Sequence, residues 1–102
     1  MSDFAQQTIS DYLELFLQYI AEAKNASPKT IENYNLWLGR FATFVGQIGP
    51  KDITAFMVLN CRMQLKKRDL SIKTINYHIV ALRSFLKFLL RNDIDTLNPE
   101  KC

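Results

Sequence analysis

Two stretches of the chain begin alike, Ser27-Pro-Lys-Thr-Ile31 and, forty-four residues later, Ser71-Ile-Lys-Thr-Ile75. Each then sets a leucine and two phenylalanines at matching offsets, Leu38, Phe41 and Phe44 in the first and Leu82, Phe85 and Phe88 in the second. Apolar residues spaced by threes and fours line one side of an α-helix, and a strand would need a period of two. A serine just ahead of such a series is a favoured N-cap, because its hydroxyl accepts from a first-turn N–H that has no partner inside the helix. The same turn concentrates free N–H groups and a partial positive charge, so Ser, Lys and Thr there also suit a phosphate. Good capping chemistry alone would explain either copy; the duplication suggests two seats for a polyanion.

The remaining elements are read around this pair. Thr8-Ile-Ser-Asp11 resembles a capping box with Asp in place of Glu. It opens a helix with Ile9, Leu13, Phe16, Leu17, Ile20 and Ala23 inward, running to about Lys24. Ser27 and Pro28 restart the chain as a second helix, Pro28 losing nothing at the first helical position. Its stripe is Ile31, Tyr34, Leu38, Phe41 and Val45, widened by Trp37 and Phe44, and it stops near Gly46. A third helix is expected from Lys51, with Ile53, Phe56, Met57, Cys61 and Leu65 inward, ending in Lys66-Lys67-Arg68, where cations suit the helix dipole. The fourth carries Ile75, Ile79, Leu82, Leu86 and Leu89, flanked by Ile72, Phe85 and Leu90, with Asn92 as C′ residue. No strand-like alternation occurs. The expectation is an all-α, compact bundle of four main helices, with residues 1–7 a flexible leader, 8–92 the four-helix domain and 93–102 the irregular start of a linker. Two copies of the repeat are fewer than the three a solenoid needs.

With 102 residues there is room for one core and one working surface. No apolar stretch approaches the ~20 residues of a membrane span. Cys61 and Cys102 are too few for a disulfide framework, and Cys61 falls within an apolar helical pattern, as a buried thiol would. A single histidine, His78, flanks an apolar stripe, where a hydrogen bond to a carbonyl is its ordinary role. No nucleophile–base pair, metal-ligand cluster or glycine-rich phosphate loop is present, so neither catalysis, metal nor other cofactor is expected.

Charge is more informative than its total of +3. Residues 1–51 carry four basic and five acidic side chains; residues 52–102 carry nine and five. Between Arg62 and Arg91 eight cations face Asp69 alone. That is a footprint for an anionic partner, or a solvated helix face with surplus lysine. On the fourth helix Lys73, Asn76, Tyr77, Ser84, Lys87 and Arg91 collect opposite the apolar stripe, with Arg83 at the edge and Val80 the lone apolar member. The second helix places Lys29, Asn33, Arg40 and Thr43 on one side, interrupted by Leu36. Ser27, Lys29, Thr30, Ser71, Lys73 and Thr74 are suited to phosphates. Asn33, Arg40, Asn76, Tyr77, Arg83, Ser84 and Lys87 are candidates for base edges, since Asn pairs bidentately with adenine and Arg with guanine in the major groove. The favoured partner is double-stranded DNA; the alternative is a helical protein–protein interaction module, which would group Leu36, Val58 or Val80 into one apolar patch.

The ordered series Ser27-x-x-Thr30-x-x-x-Tyr34-x-x-x-Leu38-x-x-Phe41-x-x-Phe44, Asp52-Ile53-x-x-Phe56, Leu70-Ser71-x-x-Thr74-Ile75-Asn76, Ala81-Leu82-Arg83-x-Phe85, Phe88-Leu89 and Asn98-Pro99 resembles the N-terminal core-binding domain of tyrosine recombinases, the phage integrase and Xer-like family. The likeness spans about Thr8 to Pro99. It implies a SAM-like helical bundle that clamps one face of a recombination site, opposite a separate C-terminal catalytic domain, with Asn-Pro opening the connector. It further implies that Ser27, Lys29, Thr30, Asn33, Arg40, Ser71, Lys73, Thr74, Asn76, Arg83 and Lys87 face DNA. The family's nucleophilic Tyr and its Arg, Lys and His belong to the catalytic domain and have no counterpart here, so this chain is not expected to cut DNA. Asn92 stands where many relatives have Gly. The implied partners are duplex DNA, the catalytic domain and other protomers assembled on DNA, with no membrane and a monomeric isolated domain. The implied setting is cytoplasmic and nucleoid-associated, of bacterial, archaeal or phage origin.

Overall fold

The computed structural model describes residues 7–102, so all of the expected leader except Gln7 lies outside the described residues. Four helices follow one another, α1 (Ile9–Glu22), α2 (Pro28–Val45), α3 (Ala55–Lys67) and α4 (Ile72–Arg91), with single 3-10 turns at Pro50–Asp52 and Pro99–Lys101 and no strand among the described residues. The fold is all-α, as the apolar spacing predicts. The chain divides into two compact units, Met1–Gly49 with α1 and α2, and Pro50–Cys102 with α3, α4 and both 3-10 turns.

In the first unit the Thr8 capping box is complete: Asp11 N–H donates to Thr8 Oγ1 at 3.4 Å and Thr8 N–H donates to Asp11 Oδ2 at 2.9 Å. α1 then buries Ile9, Leu13, Phe16 and Ile20, and α2 packs against it with Leu38, Phe41 and Ala42. Tyr34 and Trp37, read as core residues, are half-buried; the Tyr34 ring lies 6.1 Å from that of Phe16 and 6.0 Å from that of Trp37. α2 stops at Gly46, whose φ of 85° and ψ of −161° lie in a region open to glycine almost alone. Gly39, by contrast, sits mid-helix with nothing within 4 Å of a would-be Cβ. The two glycines should therefore respond to alanine with opposite signs. Gly46→Ala is expected to destabilise by about 1–3 kcal/mol, and Gly39→Ala to stabilise by about 0.5–1 kcal/mol. Thermal melts of both variants check this; a Gly46→Ala protein as stable as the parent would show that the strained backbone is not held.

In the second unit α3 starts at Ala55, four residues later than the apolar pattern predicts. Pro50 closes a 3-10 turn, and Thr54 takes the cap, its Oγ1 accepting from Met57 N–H at 3.1 Å. The buried set is accordingly Ile53, Val58, Cys61 and Leu65, while Phe56, expected inward, is 68% exposed and Met57 half-buried. The reason is that α3 carries apolar residues on both sides, so periodicity alone cannot select the side that meets the core. α4 is the unit's centre: Ile75, His78, Ile79, Ala81, Leu82, Phe85, Leu86 and Leu89 are all buried, whereas the flanking Ile72 and Leu90 are exposed. Its end is a Schellman motif in which Asp93 N–H donates to Leu90 O at 3.1 Å and Ile94 N–H to Leu89 O at 2.9 Å. The left-handed residue is Asp93, at φ 62°, one position beyond Asn92. Asn92 closes the helix at φ −106° and sends its side-chain amide to Phe88 O. The segment expected to be irregular after residue 93 forms the second 3-10 turn and packs on α4, burying Pro99, with Thr96 Oγ1 donating to Pro50 O at 3.0 Å.

Candidate nucleic-acid interface

The repeated sequence becomes a repeated local structure. Ser27 (φ −71°, ψ 157°) and Ser71 (φ −67°, ψ 157°) cap α2 and α4 in nearly the same extended conformation. Ser27 Oγ accepts from Thr30 N–H at 3.2 Å and donates to Thr30 Oγ1 at 3.0 Å; Ser71 accepts from Thr74 N–H at 3.1 Å and donates to Thr74 Oγ1 at 3.0 Å. With each serine proton given to the threonine oxygen, each threonine keeps its own hydroxyl proton for an acceptor outside the turn. The backbone adds donors. Lys29 N–H in α2, and Ile72 and Lys73 N–H in α4, have no acceptor within their helices; Pro28 lacks the equivalent hydrogen, so α4 offers one donor more. Behind the second cap, buried His78 holds Nδ1 2.8 Å from Thr74 O, which places the proton on that nitrogen as donor. This is the carbonyl-bonded role that its place beside the apolar stripe predicts.

Along α4 the polar candidates share one face. At 100° per residue Lys73, Asn76, Tyr77, Arg83, Ser84, Lys87 and Arg91 fall within an arc of about 120° centred opposite the buried stripe. All are exposed except half-buried Ser84. Arg83, at the arc's edge, donates from Nη2 to the Cys102 carbonyl at 3.4 Å, which ties it to the segment after α4. Burial pushes the Cys102 thiol up, against the lowering effect of the Arg83 and Arg62 charges; burial does the same for Cys61, opposed by Arg68. Both thiols are thus held in the protonated, poorly nucleophilic form.

Along α2, Lys29, Asn33 and Arg40 share a similar arc opposite Leu38, with Lys29 exposed and the other two half-buried. Lys29 Nζ lies 3.9 Å from Glu32 across one turn, both side chains in solvent, an ion pair weak enough to open for a stronger anion. The two faces lie in different units, and each is a complete polar helix side in itself. Neither face is purely polar. Leu36 and Val80, which the sequence treats as interruptions, are exposed at 48% and 51%, Val80 at the middle of the α4 arc and Leu36 beside Lys29 at the edge of the α2 arc. An aliphatic side chain among groove-reading polar groups can meet a thymine methyl, so both join the candidates. The signal was present, because an apolar residue in the centre of a polar face is not accounted for by the core. Val58, in contrast, is buried.

No helix among the described residues is long and apolar enough to cross a membrane. The chain is 33% identical over 96 residues to tyrosine recombinase XerC of Bacillus subtilis (strain 168), an alignment covering 91% of this chain and 32% of that protein. It is 34% identical over 94 residues to tyrosine recombinase XerD of Chlorobaculum tepidum, covering 85% and 29% respectively. The chain therefore spans about a third of the length of the curated relatives it matches. Its fold superposes with a TM-score of 0.81, at 20% identity and 93% coverage of both chains, on the crystal structure of the N-terminal domain of a phage integrase/site-specific recombinase from Haloarcula marismortui. The family pattern described as phage integrase, N-terminal SAM-like domain, matches residues 13–93. With its helix order, its capped repeat and its relatives in agreement, the chain belongs to the phage integrase N-terminal SAM-like domain family of the tyrosine recombinases.

Proposed function

We propose that this chain is the core-binding module of a site-specific tyrosine recombinase, holding duplex DNA at a recombination site while a separate C-terminal catalytic domain breaks and rejoins strands. The observation that carries the reading is the outward face of α4, where four cations, an amide, a phenol and a hydroxyl stand opposite the buried stripe and begin at an N-terminal turn duplicated in α2. Ser27, Lys29, Thr30, Ser71, Lys73 and Thr74 hold phosphates, and Arg91 adds charge at the far end of α4. Asn33, Arg40, Asn76, Tyr77, Arg83, Ser84 and Lys87 reach base edges, and Leu36 and Val80 supply apolar contacts. The chain itself positions and breaks no bond. Its partners are duplex DNA, the catalytic domain and neighbouring protomers on DNA, in a cytoplasmic setting.

Binding of this kind gains from counterion release and so falls steeply with salt. Titrating a generic duplex at low salt is expected to shift the backbone resonances of the first turns of α2 and α4 and of the α4 polar face, with the shifts fading as salt rises. Unmoved resonances on both helices at low salt would overturn the reading. The interaction-module alternative draws no support from Leu36 and Val80, each of which stands singly among polar side chains on its own helix.

A further inference from the structure

Val80 is the one apolar residue within the outward arc of α4, and it stands at the centre of that arc. Asn76 and Ser84 lie four residues before and after it, and Tyr77 and Arg83 three, so Val80 is ringed by polar side chains on its own helix surface. It is 51% exposed, and the core does not account for it. Nor does helix propensity, since a β-branched residue loses rotamer freedom in a helix and serves an exposed position less well than alanine or lysine. The same stiffness holds its two methyls in one place, which suits contact with a small, rigid apolar group.

In the major groove the apolar group that marks a base is the C5-methyl of thymine. Asn76 suits the neighbouring chemistry: a bidentate pair with adenine has the amide oxygen accept from N6–H while the amide nitrogen donates to N7. The hydrogen so used is the one that points into the groove, and a methyl on N6 takes its place. Four residues of helix rise about 6 Å and base pairs are stacked about 3.4 Å apart, so the two side chains reach pairs no more than about two steps from each other.

We propose that α4 reads the methyl groups of its DNA in two opposite senses: binding gains where Val80 meets a C5-methyl, and falls where an N6-methyl turns Asn76 away from its adenine. This deepens the function proposed above and rests on it. Adenine methylation leaves base pairing and backbone charge as they were, so Lys73 and the other phosphate-holding groups of the two helix starts are indifferent to it. The methylation state of a site therefore regulates its occupancy through the base-reading side chains alone.

The test begins with a pool of duplexes randomised in their central segment, from which the whole chain selects sites at low salt. In a selected duplex each thymine is replaced in turn by uracil, which lacks only the methyl, and each adenine by N6-methyladenine. Uracil at one thymine is expected to weaken binding about fourfold, the worth of one buried methyl. N6-methyladenine within about two base pairs of that thymine should weaken it by about tenfold or more, and neither change should alter the salt slope. Each effect should vanish in the variant that lacks its reader, the first in Val80→Ala and the second in Asn76→Ala. Both positions are exposed and alanine is the better helix former, so both variants keep the fold. Penalties that are absent, or that persist in the variants, would overturn the inference while DNA binding itself stands. A chain that binds no duplex at all would overturn both this inference and the function on which it rests.

Discussion

Replacing Phe85 with alanine is expected to destabilise the fold by about 3–5 kcal/mol, and the same replacement at Phe56 by less than about 0.5 kcal/mol. Phe85 is 1% exposed in the middle of α4, bounded on that helix by buried Ala81, Leu82, Leu86 and Leu89, so truncation opens a cavity that the helix cannot close by bending. A domain of this size holds about 5–15 kcal/mol in total, so one side chain accounts for a large share. Phe56 begins the same exercise with the same atoms but is 68% exposed. Urea unfolding followed by circular dichroism measures both. Comparable losses would mean that α3 is rotated and that Phe56 faces the core, as a third helix starting at Lys51 would have it.

The second large effect concerns DNA. The double variant Lys73→Ala/Lys87→Ala should weaken binding by about tenfold or more at low salt, and should lower the slope of log affinity against log salt by about 1, for the phosphate that Lys73 no longer neutralises. Both lysines are exposed on the outer arc of α4, so stability should hardly change. Asn76→Ala should behave otherwise, leaving the salt slope intact while costing about 1–3 kcal/mol of preference between a matched and a mismatched site. Lys51→Ala, exposed but off both polar faces, serves as the control. Equal salt slopes for parent and double variant would remove α4 from the interface.

The helices of this chain were legible because local forces decide them. Thr8, Ser27 and Ser71 each place a hydroxyl where an unpaired N–H needs an acceptor, and all three cap as read. The apolar stripe of α4 was legible for a related reason, since its opposite side is polar and leaves one choice of inward face. α3 offered no such contrast. With Val58 and Leu65 on one side and Phe56, Leu59 and Met63 on the other, both rotations satisfy the period, and the choice belongs to what the helix meets. The same limit applies to the candidate site. Which residues share the α4 arc follows from their spacing, but the hydrogen bond from Arg83 to the Cys102 carbonyl joins positions nineteen apart and has no signature in either segment.

The sequence by itself therefore determined the all-α class, the helix starts and the polar face of α4, because capping and amphipathic spacing act within a turn or two of chain. Only the tertiary structure decided that α3 begins at Ala55 and turns Val58 inward, that Asp93 rather than Asn92 takes the left-handed position, and that Pro99 is buried in a docked turn. The inward turn of Val58 and the docking of Pro99 depend on contacts between residues distant in the chain, where burial of apolar area outweighs the fraction of a kcal/mol by which local propensities differ, whereas the place of Asp93 is fixed by the Schellman bonds of the last turn.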